Sequence, residues 1–343
     1  MTMQDRGELS ETGPDGSGAS VVNPWWRHRI MVPGLDRFSG LYILAVVLII
    51  FAFTIPGLFF TTGNLRNVAA SQAVTGVLAL GLILPLAAGV FDLSIAASMG
   101  LAEVITVSGQ SHGYNPVISA LAAVLACTVV GVVNGIVVVR LHVNSFIATL
   151  GMSSVLVAAT YWVCDGGQEI VNGISPGFTS FGTDEWFRIP SSVYIMLLLG
   201  IIIWFVLRFR PAGRYLYAVG GNETAARLAG VRVNRLVFGS LVICGAIAGL
   251  AGVLLAAQLG VGDPTSGPPY LLPAFTAVFL GATQITRLRR PNVVGTIIAI
   301  YVLAAGVDGL QLAGAPSYIN DLFNGAALIA AVALAVRTSR SAQ

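Results

Sequence analysis

Ten apolar runs, nearly free of charge, recur between positions 41 and 336 and are separated by short polar segments. They are Leu41 to Phe60, Val68 to Phe91, Leu93 to Gly109, Pro116 to Val139, Val143 to Val163, Ser191 to Leu207, Leu236 to Leu259, Leu271 to Thr286, Asn292 to Val307 and Ile319 to Val336. A helix crosses the hydrocarbon core of a bilayer with about 20 apolar residues. The pattern therefore predicts an all-α polytopic membrane protein of about ten transmembrane helices. Three features set the later runs apart. The eighth and ninth are short, Pro264, Pro268, Pro269 and Pro273 crowd the entry to the eighth, and Asp321 sits near the start of the tenth.

The polar segments divide the chain further. Residues 1 to about 22 are rich in Gly, Ser and acidic residues, too poor in apolar surface to offset the entropy of ordering, and are expected to be disordered. Trp25, Trp26, Arg27, His28 and Arg29 follow, a basic and aromatic cluster of the kind that sits at a membrane interface. Residues 1–40 thus form an N-terminal segment, 41–336 the membrane domain and 337–343 a tail. The first apolar run begins too late and is too long for a cleavable signal peptide. The longest internal polar stretch is Arg208 to Arg235. Within it Asn222 is expected to cap a helix of about two turns, Glu223 to complement its positive end and Gly230 to close it.

Charge orients the runs. With ten crossings and a cytoplasmic N-terminus, 16 of the 18 arginines fall on the cytoplasmic side, leaving Arg66 and Arg188 outside. Both termini and residues 208–235 are then cytoplasmic, as the positive-inside rule requires, and 165–190 is extracytoplasmic. Composition agrees with a membrane location: 56% of residues are hydrophobic, 10% are charged and the mean hydropathy is +0.84, whereas soluble domains carry about 25% charged residues. A net charge of +3 is too balanced to imply a nucleic-acid partner.

Candidate chemistry is sparse. The sequence contains no lysine, which excludes a P-loop and a Schiff base, so nucleotide hydrolysis by a P-loop must come from another chain. Cys127, Cys164 and Cys244 lie apart in apolar stretches and read as small buried hydrophobes; His28, His112 and His142 fall in separate polar segments, and no metal site or cofactor is expected. Intramembrane polar residues are more informative. A carboxylate at a helix centre costs about 2.5 to 3.5 kcal/mol on insertion scales, so Glu103 should face protein or water. Gly100, Thr106 and Gln110 share its helix face. That face either lines a path for hydroxyl-rich ligands or bonds to a neighbouring helix. Gln72, Gln258 and Asn134 are further intramembrane amides, and Asn134 lies within a GxxxG spacing, Gly131 to Gly135, that Gly245 to Gly249 repeats. Close helix packing is the expected use.

Residues 213–235 (GRYLYAVGGNETAARLAGVRVNR) resemble the cytoplasmic loop of the permease subunits of ribose, xylose and other simple-sugar ABC importers. The strings PGLFFTTGNLRN, FDLS, VNGIVV, FIATLG and GGQEI, in that order from Pro56 to Ile170, resemble the same family. The likeness spans about residues 41 to 336. It implies an ABC importer transmembrane domain that pairs with a second permease copy or a related permease and takes sugar from an extracytoplasmic binding protein. ATPase subunits holding ATP and Mg would drive it, and the location would be the bacterial inner membrane. Asn222, Glu223, Ala226, Arg227 and Gly230 would then couple to the ATPase; on residue chemistry alone the same segment reads as a solvated surface helix. A proton-coupled carrier using Glu103 is the alternative, and an ion channel is disfavoured because no filter-forming motif is present. One departure stands out. Members of the family carry a glycine-rich turn after the eighth helix, where this chain has Gly281, Ala282, Thr283 and Gln284 followed by Arg287, Arg289 and Arg290. Like charges brought together in two identical copies would favour an unlike partner, unless the arginines serve only as topology anchors.

Overall fold

A computed structural model describes residues 39–166, 169–170, 175–284 and 290–340. The first apolar run forms α1 (Ser39–Thr54) and the short α2 (Pro56–Phe59). The next four give α3 (Thr62–Ala87), α4 (Ile95–Ser111), α5 (Pro116–Val139) and α6 (Ser145–Val163). After α7 (Pro176–Thr183) come α8 (Ser191–Phe209), α9 (Pro211–Gly221), α10 (Glu223–Leu228), α11 (Val233–Leu259), α12 (Leu271–Gln284), α13 (Val293–Leu312) and α14 (Ile319–Arg340). Six of these, α3, α5, α6, α8, α11 and α13, are long and apolar enough to cross a membrane by themselves. The chain is an all-α polytopic membrane protein.

Isolated polar residues between the runs start the helices. Thr61 accepts from the Asn64 amide, Asn115 from Val117, Asn144 from Phe146, Asn222 from Ala225 and Asn292 from Gly295, each satisfying an amide that the helix leaves free. The axis of the bundle is α3 with α11. Of their apolar windows 72% and 78% of residues are buried, against 17% for α6. Outward-facing Leu121, Leu125 and Val129 of α5 and Ile147 and Leu150 of α6 are exposed. So broad an apolar surface suits lipid and not water.

The two GxxxG spacings meet. A Cβ on Gly131 would approach the Leu241 carbonyl at 2.6 Å and Val242 Cα at 2.9 Å; one on Gly249 would lie 2.7 Å from Val124 Cα. A Cβ on Gly245 would strike the Cys127 carbonyl. At Gly131, Gly245 and Gly249 the backbones of α5 and α11 pack directly, as the spacing predicted, while Gly135 makes room for the Phe238 ring.

Two short antiparallel ladders join loops. β1 (Glu169–Ile170) pairs with β4 (Val261–Gly262), and β2 (Glu185–Trp186) with β3 (Ile189–Pro190). From β4 the chain dips back into the bundle. Gly262 lies beside Val104 and Val107 of α4, and Gly267 beside Ala96 and Gly100. That is a descent of about two helical turns, or roughly 10 Å. The 3-10 turn Pro268–Tyr270 then leads into α12, which begins inside the protein. The prolines thus mark a re-entrant segment, and it accounts for the shortness of the eighth run.

Candidate functional site

Polar side chains gather in a cavity of the bundle and on a helical platform at one end of it. The cavity, about 290 Å³, is lined by Gln72 and Thr75 of α3, Pro269, Tyr270 and Pro273 of the re-entrant turn and α12, Ile300, Leu303, Ala304 and Val307 of α13, and Asn320, Asp321 and Asn324 of α14. Gln72 is thus the candidate that the fold brings to an open space. Asn320 and Asn324 lie one turn apart, and the Asn324 amide donates to the Asn320 carbonyl at 2.9 Å. These α14 residues and Tyr270 were missed from sequence. The i, i+4 amide pair beside Asp321 at the start of an otherwise apolar run was the signal available.

The other three intramembrane candidates lie elsewhere. Glu103 is fully buried, its side chain accepting a hydrogen bond from the Ser266 hydroxyl, while Oε1 lies buried with no donor in hydrogen-bond geometry. Ser266 belongs to the re-entrant segment, and Gly100, one turn earlier on α4, packs against Gly267 with no room for a side chain. The polar stripe of α4 therefore faces the outer side of the cavity wall and not the cavity. Thr106 bonds to its own helix at the Ala102 carbonyl, 2.7 Å away. Asn134 donates to Ser94 Oγ at 2.8 Å, and that hydroxyl donates to Asp92 at 2.6 Å, a buried chain joining α5 to the turn before α4. Asp92 and Ser94 lie in the FDLS string, whose chemistry was not singled out.

The platform is built from α9 and α10. Sequence reasoning placed a helix only at 222–230; α9 extends the structure back to the end of α8. Buried Leu216 and Val219 and the close approach of Gly220 to Ala87 and Gly89 fasten α9 under α3. Tyr217 donates to the Pro291 carbonyl at 2.6 Å, and the Arg290 guanidinium lies 5.4 Å from its ring centre. Burial raises the Tyr217 phenol above its ordinary pKa, with Arg290 opposing the shift. Arg290 is thereby engaged within the chain, whereas Arg287 and Arg289 lie outside the described residues. On α10, Asn222 caps the Ala225 amide at 2.9 Å, Glu223 pairs with Arg227 at 2.7 Å, Ala226 alone is buried, and Gly230 turns left-handed with φ +80°. Leu228, 86% exposed, projects beside the ion pair.

A polytopic helical bundle with a polar cavity between its helices and a helical platform docked at one end has the build of a membrane transport subunit. The chain belongs to the family described as the branched-chain amino acid transport system permease component, whose family model matches residues 64–332. It is 33% identical over 296 residues to the ribose import permease protein of Escherichia coli strain K12, covering 84% of this chain and 91% of that one. The ribose import permease of Bacillus subtilis strain 168 is 31% identical over 300 residues, with 88% and 92% covered. The D-allose transport permease of Escherichia coli strain K12 is 28% identical over 300 residues, with 87% and 91% covered. No solved structure matches the chain significantly. The chain is a transport subunit and, lacking any lysine, has no P-loop of its own.

Proposed function

We propose that this chain is the transmembrane permease of a binding-protein-dependent ABC importer that carries a monosaccharide or similar small polyol across the bacterial inner membrane. Family membership and the sugar permeases among its relatives support an importer driven by ATP and Mg held in partner ATPases over a proton-coupled carrier using Glu103. One observation carries the choice of cargo. The cavity offers amides, a carboxylate, a threonine and a tyrosine, and no cation among its lining residues. Hydroxyl groups can donate to and accept from such a surface. An amino acid, the cargo in the family's description, would set its carboxylate near Asp321 with no Arg opposite.

In this reading ten helices cross, α1, α4, α12 and α14 completing the other six, with both termini cytoplasmic. Gln72, with the α14 amides, faces the translocated substrate. Glu103 acts from behind the wall, holding Ser266 and so the turn that presents Tyr270; Thr106 and Asn134 stiffen α4 and α5 around it. Asn222, Glu223, Ala226, Arg227 and Gly230 shape the coupling helix, and Leu228 is the apolar anchor on which an ATPase closes. A second copy or a related permease completes the channel, and an extracytoplasmic binding protein delivers sugar. The test is to purify the tagged chain with its partners, reconstitute it, and compete labelled ribose against allose, arabinose, fructose and leucine. Competition by pentoses or hexoses and none by leucine is expected; competition by leucine alone would overturn the cargo assignment.

A further inference from the structure

The β2–β3 hairpin closes through a two-residue turn, Phe187 and Arg188, both with positive φ, 51° and 67°. Turns of this shape ordinarily use Asn or Gly, because a side chain crowds the left-handed backbone. Here the two strained positions carry a large aromatic and an arginine, so the turn is built to display them and not for ease of folding. Phe187 is 96% exposed and Trp186 and Ile189 beside it are also exposed. No ion pair involves Arg188 among the described residues.

The direction of the hairpin identifies what meets it. Its base is held by the Ser191 amide donating to the Asp184 carbonyl, at the first residue of α8. Tyr194, one turn further into the same helix, donates its hydroxyl to the Trp186 carbonyl at 2.9 Å, and the Trp186 and Tyr194 rings lie 5.8 Å apart. The hairpin therefore folds back along α8 instead of reaching away from it. Below Tyr194 the exposed face of α8 continues through Leu197, Leu198, Ile201 and Phe205. On its other flank Glu185 is tied to Arg66 of α3 at 2.9 Å, which fixes the hairpin against the bundle. Trp and Tyr at the end of a helix with an exposed apolar face, beside an arginine that makes no ion pair among the described residues, match the chemistry of a bilayer interface.

We propose that the 185–190 hairpin is an interfacial membrane anchor, with Phe187 seated among the upper acyl carbons and Arg188 at the level of the lipid phosphates. It lies at the end of α8 opposite the α9–α10 platform, so it grips the other leaflet and clamps the bundle where α8 enters. The partner is a lipid surface, and a second permease or a binding protein is the competing occupant. The test uses the full chain in nanodiscs of phosphatidylglycerol and brominated phosphatidylcholine, with the five native tryptophans replaced by Phe and Phe187→Trp as reporter. Bromines near the headgroup should quench its emission more than bromines near the chain end, and aqueous iodide should have little effect. Emission indifferent to both bromine positions overturns the proposal, whether iodide reaches the tip or a protein covers it. Should removal of the tryptophans lower the yield, a nitroxide at Phe187→Cys gives the same reading: collisions with oxygen should exceed those with a water-soluble nickel chelate, and the reverse refutes insertion.

Discussion

The seam between α5 and α11 and the space between α3, α13 and α14 are both meetings of apolar helices, and they are finished in opposite ways. In the first, Gly131, Gly245 and Gly249 let the two backbones close on each other, and Gly135 makes room for the Phe238 ring. In the second, Gln72, Asn320, Asp321 and Asn324 keep the helices apart around an open polar cavity. Without a hydrophobic drive between helices in lipid, close packing supplies the affinity at the first seam, while the polar groups at the second can be met by water or a ligand. A transporter needs both: a rigid seam that does not leak and a polar one that can be occupied.

Filling the dry seam should do the most harm. Even Gly245→Ala places a methyl against the Cys127 carbonyl and Gly131, and Gly245→Leu is expected to cost about 3 kcal/mol or more. The check is thermal unfolding in detergent, where the leucine variant should lose most of its folded yield. Next comes the wall between the two regions. Glu103→Leu removes the Ser266 acceptor, a loss of about 1 to 2 kcal/mol for a helix-to-segment hydrogen bond in a membrane protein. Glu103→Gln keeps an acceptor oxygen and should restore stability. If leucine and glutamine variants unfold at the same temperature, the Ser266 bond does not hold the re-entrant segment. At the cavity the effect should fall on transport and leave folding alone. Asn324→Leu should lower the uptake rate about tenfold, or 1.4 kcal/mol, with an unchanged melting temperature. The smallest effect is expected at the platform. Asn222→Ala deletes the α10 cap at about 1 kcal/mol, and the frayed helix should weaken ATPase co-purification while leaving the bundle intact.

The seam was far more legible in the sequence than the cavity, for a physical reason. Gly131, Gly135, Gly245 and Gly249 announce close packing by spacing alone. A helix that is hydrophobic on all sides gives no clue to which face is inside, so hydropathy could not tell buried α11 from lipid-exposed α6. The start of α10 was readable from Asn222 followed by Glu223, whereas Asn115, Asn144 and Asn292 cap their helices in the same way without having been singled out as caps. The re-entrant segment was not legible: Pro264, Pro268, Pro269 and Pro273 read only as crowding the entry to the eighth run, and the contacts of Ser266 with Glu103 and of Gly267 with Gly100 reveal the descent. α9 escaped because Arg210, Arg214 and two tyrosines look like any solvated loop until Leu216 and Val219 are seen packed on α3.

In the proposed importer a substrate crosses through the polar cavity on energy supplied by another chain. Its most direct measurement is uptake of labelled pentose or hexose into proteoliposomes holding this chain with its partner ATPase, binding protein and companion permease. Uptake should vanish when ATP is withheld from the ATPase side and survive a proton ionophore. Uptake that persists without ATP and collapses with the ionophore would contradict the account and return Glu103 to the role of proton carrier.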